Sequence, residues 1–259
     1  MLKNRVIPCL LLKNAALVKT IKFKNPDYVG DPSNAIRIYN EKEVDELIFL
    51  DITATTSSKV PDLDVIGRLA SECFMPVAYG GGISDLQTMR EIFRRGIEKV
   101  AVNSHAVACP EFLSAAANEF GSQAVVISID AKRTAAGTYE VYTHGGTRAT
   151  GMDPVTWARR AAELGAGEIL LTSIDQDGTM EGYDLELIRS VTSSVDIPLI
   201  ACGGAGKVSH FGQAITQGRA SAVAAGSMVV YFGRNRAVLI NFPSPRELNR
   251  LFETISTHE

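Results

Sequence analysis

The stretch "DELIFLDI" (45–52) closely matches "GEILLTSI" (167–174), which lies 122 residues further along the chain. The same offset separates "PVAYGGGI" (76–83) from "PLIACGGA" (198–205), and one residue more separates "VAVNSHAV" (100–107) from "VAAGSMVV" (223–230). Three matching pairs at a nearly constant offset indicate an internal repeat. The chain is therefore predicted to consist of two similar halves.

The matching segments belong to a longer alternation of strands and helices. Four segments between the apolar runs have the apolar spacing of helices, and each opens with an Asp suited to N-capping: Asp62, Asp85, Asp153 and Asp184. Such alternation predicts parallel strands joined by helical crossovers, and eight units in 259 residues favour a (β/α)₈ barrel over an open sheet. The predicted strands are Val6–Leu12, Glu46–Ile52, Met75–Tyr79, Lys99–Asn103, Ala124–Asp130, Gly167–Ser173, Pro198–Cys202 and Ser221–Ala225.

We therefore predict an α/β fold, a TIM barrel built from two half-barrels, with residues 1–259 forming a single domain. A net charge of -3 and a pI near 5.9 provide no broad basic surface for nucleic acid. No apolar run approaches the roughly 20 residues of a membrane span. The four cysteines form no C-x-x-C pair, and the four histidines have no metal-ligand spacing. We expect a cytoplasmic protein without a metal, a cofactor, or a nucleic-acid or membrane partner.

The glycine pairs fall at the carboxyl ends of strands, where such barrels form their active sites. Gly82 and Gly204 each follow a strand and precede a helix, so their amides are candidate anion ligands. Asn103, Ser104 and Ser227 follow the next strand of each half and add further donors. Two phosphate sites across the barrel mouth are predicted, and glycines that only form tight turns are the alternative.

Carboxylates also end the predicted strands. Asp51 and Asp130 each follow an apolar run and are candidate acid–base groups, although Asp130 could instead pair with an adjacent cation. Asp177 lies in the loop "SIDQDGTMEGYD" (173–184), which we interpret as facing a phosphate; helix capping is the alternative for Asp177. Lys19, placed in a loop, could close over a phosphate or be solvated.

The repeat exposes one asymmetry between the halves. With three fewer residues between the copies, "LLLK" (10–13) aligns with "IDAK" (129–132). Leu11 therefore stands where the second half has Asp130. One side of the predicted mouth lacks the carboxylate that the other side keeps.

A second set of charges lies at the opposite rim. Arg5, Glu46, Lys99 and Glu168 each stand at the start of a predicted strand. Alternating charges that converge on the barrel axis are unfavourable unless they are paired, so a ring of salt bridges is expected to close the bottom. The simplest interpretation is that this ring only closes the bottom of the barrel as a structural plug.

Several stretches together resemble the cyclase subunit of imidazole glycerol phosphate synthase, the HisF family. They are "DELIFLDITAT", "YGGGI", "FGSQAVVISIDAKR", "YEVYTHGG", "LGAGEILLTSIDQDGTMEGYDLELIR" and "IACGGAG". The resemblance implies a HisH-type glutaminase partner, ammonia passing through the barrel, and cyclisation of a bis-phosphorylated ribulosyl carboxamide. It also implies an acid–base pair at Asp130 and position 11, an ammonia gate at the charged ring, and phosphate binding by Gly82, Asn103, Ser104, Asp177, Gly178, Gly204 and Ser227.

Two features depart from that family. Leu11 cannot transfer a proton, and losing one such group typically lowers a rate by about 10²–10⁴. The segment "AAGSMVVYFGRNRAVLINFPSPREL" (224–248) is longer, more basic and more aromatic than is usual there. The combination resembles paralogues linked to surface-polysaccharide synthesis, in which the barrel and its glutaminase supply ammonia to an enzyme that forms acetamidino sugars. A genuine cyclase, with Asp51 and water assisting Asp130, and a silent scaffold that only activates the glutaminase are the alternatives.

Overall fold

The computed structural model describes residues 4–233 and 235–256, so residues 1–3, 234 and 257–259 of the predicted domain lie outside the described part. The strands are β1 (Arg5–Lys13), β2 (Ala16–Ile21), β3 (Lys24–Gly30), β4 (Leu47–Asp51), β5 (Val77–Gly80), β6 (Lys99–Val102), β7 (Val125–Arg133), β8 (Tyr139–Thr143), β9 (Arg148–Ala149), β10 (Glu168–Ser173), β11 (Leu199–Cys202), β12 (Ala222–Ala225), β13 (Tyr231–Phe232) and β14 (Ala237–Val238). The helices are α1 (Pro32–Glu41), α2 (Leu63–Glu72), α3 (Leu86–Arg94), α4 (Ser104–Ala108), α5 (Glu111–Phe120), α6 (Pro154–Glu163), α7 (Leu185–Thr192), α8 (Val208–Thr216), α9 (Ser227–Val230) and α10 (Pro245–Ser256). A short 3₁₀ helix covers Ser122–Ala124.

The parallel strands close into a barrel. Their order around it is β1, β4, β5, β6, β7, β10, β11 and β12, and β12 pairs again with β1. These strands overlap the eight runs predicted from the sequence. The predicted (β/α)₈ barrel is confirmed.

The four predicted helix caps are also present. Asp62 accepts hydrogen bonds from the amides of the first turn of α2, and Asp85 does so for α3. Asp153 and Asp184 cap α6 and α7 in the same way. Because capping is a short-range interaction, the sequence alone locates these helix starts.

The two halves correspond in strand register. Leu11 of β1 pairs with Leu50 of β4, and Asp130 of β7 pairs with Thr172 of β10. In the sequence repeat, Leu11 aligns with Asp130 and Leu50 aligns with Thr172. Leu11 and Asp130 therefore occupy equivalent positions in the barrel wall.

Two hairpins extend β1 and β7 beyond the barrel. The β2–β3 hairpin pairs with β1, and β8, followed by β9, pairs with β7. The sequence did not predict these strands: β3 is mostly polar and exposed, and β2, although mostly apolar, follows β1 after a turn of two residues. The placement of Lys19 in a loop is wrong, since it lies within β2 and only 6% of it is exposed.

The apolar core has two parts. The larger part lies between the barrel strands and the surrounding helices. The smaller part fills the barrel between its two rims and is formed by Ile7, Cys9, Ile48, Ala78, Ala101, Val126, Leu170, Ile200, Ala222 and Ala224.

Candidate functional site

A cavity of about 560 Å³ opens at the carboxyl ends of the barrel strands. It is formed by the ends of parallel strands and the loops that follow them, as expected for this barrel type. It brings together all the residues predicted for the mouth: Leu11, Lys19, Asp51, Gly82, Asn103, Ser104, Asp130, Asp177, Gly178, Gly204 and Ser227.

Asp130 is held at the end of β7 by a neighbouring side chain. Asn103 Nδ2 donates to Asp130 Oδ2 at 2.7 Å. Burial raises the pKa of Asp130 to about 7, while the hydrogen bond from Asn103 opposes the rise and the nearby charge of Asp177 adds to it. A carboxyl with a pKa close to neutrality can both give and accept a proton, which suits acid–base chemistry.

The alternative of an ion pair between Asp130 and an adjacent cation is wrong. The Lys132 ammonium lies 5.7 Å from the centre of the Tyr142 ring. Arg133 instead forms an ion pair with Glu186. Among the residues that the structure describes, no salt bridge reaches Asp130, so its carboxyl remains available to the cavity.

Asp177 is bound by the β2–β3 hairpin. Its carboxylate accepts from Thr20 Oγ1 at 2.6 Å and from the Phe23 amide at 3.2 Å, and Lys19 Nζ lies 3.5 Å away. Helix capping is the wrong interpretation of Asp177, because Asp184 caps α7. Solvation is likewise wrong for Lys19, which is buried against Asp177. The hairpin therefore brings a cation into the mouth.

At the position where the first half lacks a carboxylate, the wall of the cavity is apolar. Leu11 is 8% exposed and lies beside Leu50 in the cavity wall. Gly226 stands where the other half has Asn103. A Cβ atom at Gly226 would lie 2.7 Å from Lys19 Nζ, so the ammonium occupies the space that an amide side chain fills in the other half.

Asp51 has a structural role that the sequence did not reveal. Its Oδ1 accepts from the Thr53 amide at 2.8 Å, from Thr53 Oγ1 at 2.7 Å and from the Ala54 amide at 3.1 Å. The carboxylate thus stabilises the loop after β4. Acid–base action by Asp51 stays a prediction, with one of its two oxygens already engaged.

The two predicted anion sites differ in whether their polar groups already have hydrogen-bond partners. Ser227 Oγ and Asn103 Oδ1 are buried and have no hydrogen-bond partner within the described ranges. The Gly82 amide, by contrast, donates to Thr55 Oγ1 at 3.3 Å, and Ser104 Oγ accepts from the His144 amide at 3.0 Å. An anion at Ser227 would satisfy an unpaired hydroxyl, whereas one at Gly82 would have to share or displace Thr55.

The glycines of both sites are also required by the backbone. Gly82 has φ +71°, and a Cβ there would lie 2.8 Å from the Lys59 carbonyl oxygen. Gly204 has φ +107°, and its Cβ would lie 1.9 Å from the Gly182 carbonyl oxygen. Tight turns alone would explain these glycines, so anion binding at the two sites stays a prediction.

Sequence reasoning missed two thiols at the base of the cavity. Cys9 and Cys202 line it and lie close enough to affect each other's ionisation. That contact, with burial, raises the pKa of Cys9. The same contact, helped by the Lys19 ammonium, lowers the pKa of Cys202. The signal in the sequence was the position of Cys202, directly before a glycine pair.

The opposite rim carries the predicted ring of ion pairs. Arg5 is paired with both Glu46 and Glu168. Lys99 Nζ lies 3.0 Å from Glu46 and 2.8 Å from Glu168. Each of the two buried carboxylates therefore contacts two cations at the amino-terminal end of the barrel strands. A gate and a structural plug would both have this geometry.

Comparison with known proteins identifies related sequences. Residues 5–235 match the family model described as "Histidine biosynthesis protein". The chain is 49% identical over 249 residues to the Pseudomonas aeruginosa protein named "Putative imidazole glycerol phosphate synthase subunit hisF2", covering 96% of this chain and 99% of that protein.

Two further relatives cover most of their lengths as well. A Leptospira interrogans protein named "Putative imidazole glycerol phosphate synthase subunit HisF" is 48% identical, over 97% of this chain and all of the relative. The Streptomyces coelicolor "Imidazole glycerol phosphate synthase subunit HisF" is 48% identical, over 88% of this chain and 90% of the relative. None of the described helices is long and apolar enough to cross a membrane.

Proposed function

The chain belongs to the histidine biosynthesis protein family, and from that premise we propose that it is a HisF-like subunit that receives ammonia from a HisH-type glutaminase. The charged ring of Arg5, Glu46, Lys99 and Glu168 is the observation that carries the proposal. A structural plug does not need charges, because apolar side chains close a barrel at less cost in desolvation. Charged side chains that exchange ion-pair partners can open and close the end of the barrel.

The barrel interior supports the passage of a neutral molecule. Ten residues form the inner core cluster, and four of them are alanines: Ala78, Ala101, Ala222 and Ala224. Small apolar side chains leave room for a molecule as small as ammonia after modest side-chain movement. An apolar interior disfavours ammonium, since moving an unpaired charge out of water is strongly unfavourable. The path thus favours the neutral nucleophile.

The fate of the ammonia is argued from Leu11. An efficient cyclisation uses proton-transfer groups on both sides of the reacting centre. Leu11 and Leu50 supply none on the β1 side, and the nearby Asp51 already has one oxygen bonded to the loop after β4. We therefore propose that ammonia leaves the mouth for a separate enzyme that forms an acetamidino group on a nucleotide sugar for a surface polysaccharide. Lys19 remains a cation for a phosphorylated ligand there.

A genuine cyclase is the second candidate, and one observation favours it. Asp130 is organised by Asn103 and has a pKa of about 7, which suits proton transfer at neutral pH. The unpaired Ser227 hydroxyl is compatible with a phosphate ligand. A single carboxylate could then act with water, although more slowly than a pair.

The two candidates are separated by one set of rate measurements. Cyclase turnover of the ribulosyl carboxamide is measured with saturating ammonium for wild type, Leu11→Asp and Asp130→Asn. Ammonia delivery predicts negligible wild-type turnover that Leu11→Asp partly restores. Efficient wild-type turnover that Asp130→Asn abolishes would instead establish the cyclase.

Coupling to the glutaminase is measured separately. The barrel is mixed with the HisH-type glutaminase from the same genome, and glutamate production is followed with and without the barrel. Stimulation is expected, and unchanged glutaminase activity would refute the proposal. With an acceptor for the ammonia present, a silent scaffold would stimulate the glutaminase but an ammonium-trapping enzyme in solution would intercept all the ammonia, whereas ammonia delivered through the barrel would escape the trap.

A further inference from the structure

The cavity at the mouth has two unlike walls between the candidate anion sites. Going one way around the barrel from Ser227 to Gly82, the strands present Leu11 of β1 and Leu50 of β4 to the cavity, and Asp51, which follows Leu50, is bonded to the loop after β4. Going the other way, the equivalent positions are Asp130 of β7 and Thr172 of β10. We call Leu11 and Leu50 the apolar wall.

The apolar wall is built into the packing. Leu50 is seated over Gly80, where a Cβ atom would lie 2.9 Å from Leu50 Cδ2. Leu11 is 8% exposed, and its neighbour in register is Leu50 itself. These two side chains can offer only methyl and methylene groups to a ligand. The wall opposite can exchange hydrogen bonds with one.

The apolar wall adjoins a polar atom that lacks a partner. Ser227 is 5% exposed, and its Oγ has no hydrogen bond in the described part of the chain. Ser227 follows β12, which pairs with β1, so this hydroxyl lies next to the Leu11 strand. Lys19 Nζ is packed against the adjacent Gly226. An anionic group and an apolar group could therefore bind side by side.

We propose that the apolar wall is a specificity subsite, which selects phosphate esters that carry a short apolar group over esters that are hydroxylated throughout. The phosphate would lie at Ser227 and Lys19, and the apolar carbons would lie against Leu11 and Leu50. A hydroxyl placed there would lose its hydrogen bonds to water and gain none from the leucines. This inference rests on the proposed phosphate binding and deepens it by naming the ligand class.

Titration calorimetry with simple phosphate esters tests the subsite on the full chain. Methyl, ethyl and n-propyl phosphate form one series, and glycerol 3-phosphate matches n-propyl phosphate in its carbon chain but adds two hydroxyls. Affinity should rise by roughly fourfold with each methylene buried. n-Propyl phosphate should bind roughly tenfold more tightly than glycerol 3-phosphate. Inorganic phosphate should compete with every ester.

Variants locate the subsite. With Leu11→Asp, affinity should no longer rise along the alkyl phosphate series, and n-propyl phosphate should no longer bind more tightly than glycerol 3-phosphate. Leu11→Ala adds no charge and keeps the test valid if the Asp variant misfolds. It should reduce the affinity advantage of n-propyl phosphate over methyl phosphate by about threefold or more. Leu239→Asp makes the same chemical change at a leucine that is 53% exposed outside the cavity, and should leave the series intact.

Three results would overturn the proposal. They are a flat alkyl series in wild type, a series that persists in both Leu11 variants, and esters that inorganic phosphate does not displace. Failure of the ammonia function would be recognised independently, because the coupling assay with the glutaminase uses no phosphate ester.

Discussion

Replacing Asp130 by Asn should change the pH dependence of stability in a defined direction. The folded-state pKa of Asp130 is about 7, against about 3.9 for an exposed Asp. Between these values the unfolded chain is ionised while the folded chain stays protonated, so ionisation opposes folding as pH rises. The free energy of unfolding of wild type should fall from pH 4 to 7 by up to about 4 kcal/mol from this residue, and then level off.

Asn removes the charge and can still accept the hydrogen bond from Asn103. The difference in unfolding free energy between Asp130→Asn and wild type should be near its minimum at pH 4.5 and should approach about 4 kcal/mol in favour of the variant at pH 8. Urea unfolding followed by circular dichroism at pH 4.5, 6 and 8 measures it. Asp196→Asn, at an exposed site, is the control and should show no such trend.

A difference that did not depend on pH would show that Asp130 is not desolvated in the folded protein. A difference that grew towards low pH would mean that its carboxylate is stabilised, with the sign opposite to that worked out above. Either result would remove the physical reason for assigning proton transfer to Asp130.

Other consequences are tested by single substitutions. Lys99→Met leaves each carboxylate of the ring with one cation and should lower the unfolding free energy by about 2 kcal/mol. With an acceptor for the ammonia present, a larger share of the ammonia should reach an ammonium-trapping enzyme in solution than with wild type. Phe74 is 88% exposed in the α2–β5 loop, at the rim where the strands begin, and should anchor the glutaminase. Phe74→Ser should weaken the complex about tenfold in calorimetry without altering the melting temperature of the barrel. Gly204→Ala should lower the unfolding free energy by about 3 kcal/mol or more in the urea assay, because its Cβ would overlap the Gly182 carbonyl. Gly137→Ala is the control: nothing lies within 4 Å of the added atom, so it should lower the unfolding free energy by only about 1 kcal/mol.

The barrel, its two-half construction and the residues that meet at each rim could be predicted from the amino-acid sequence. Strand positions follow from short apolar runs, and helix starts follow from Asp caps such as Asp62 and Asp153, because both signals act over a few residues. Once parallel strands are inferred, all their carboxyl ends must lie at one rim. That is why residues as distant as Gly82 and Ser227 could be assigned to one cavity before any contact was known.

The pairing and the charge of those residues depend on the three-dimensional fold. Lys19 and Asp177 are 158 positions apart, and their contact depends on a hairpin that the predicted strands do not include. The pKa of Asp130 depends on burial by many surrounding residues, and no local pattern records that burial. Leu11 illustrates both kinds of information. The internal repeat marks it as the position of a missing carboxylate. The fold then places Leu11 beside Leu50, which is distant in the sequence, and the two form the apolar wall.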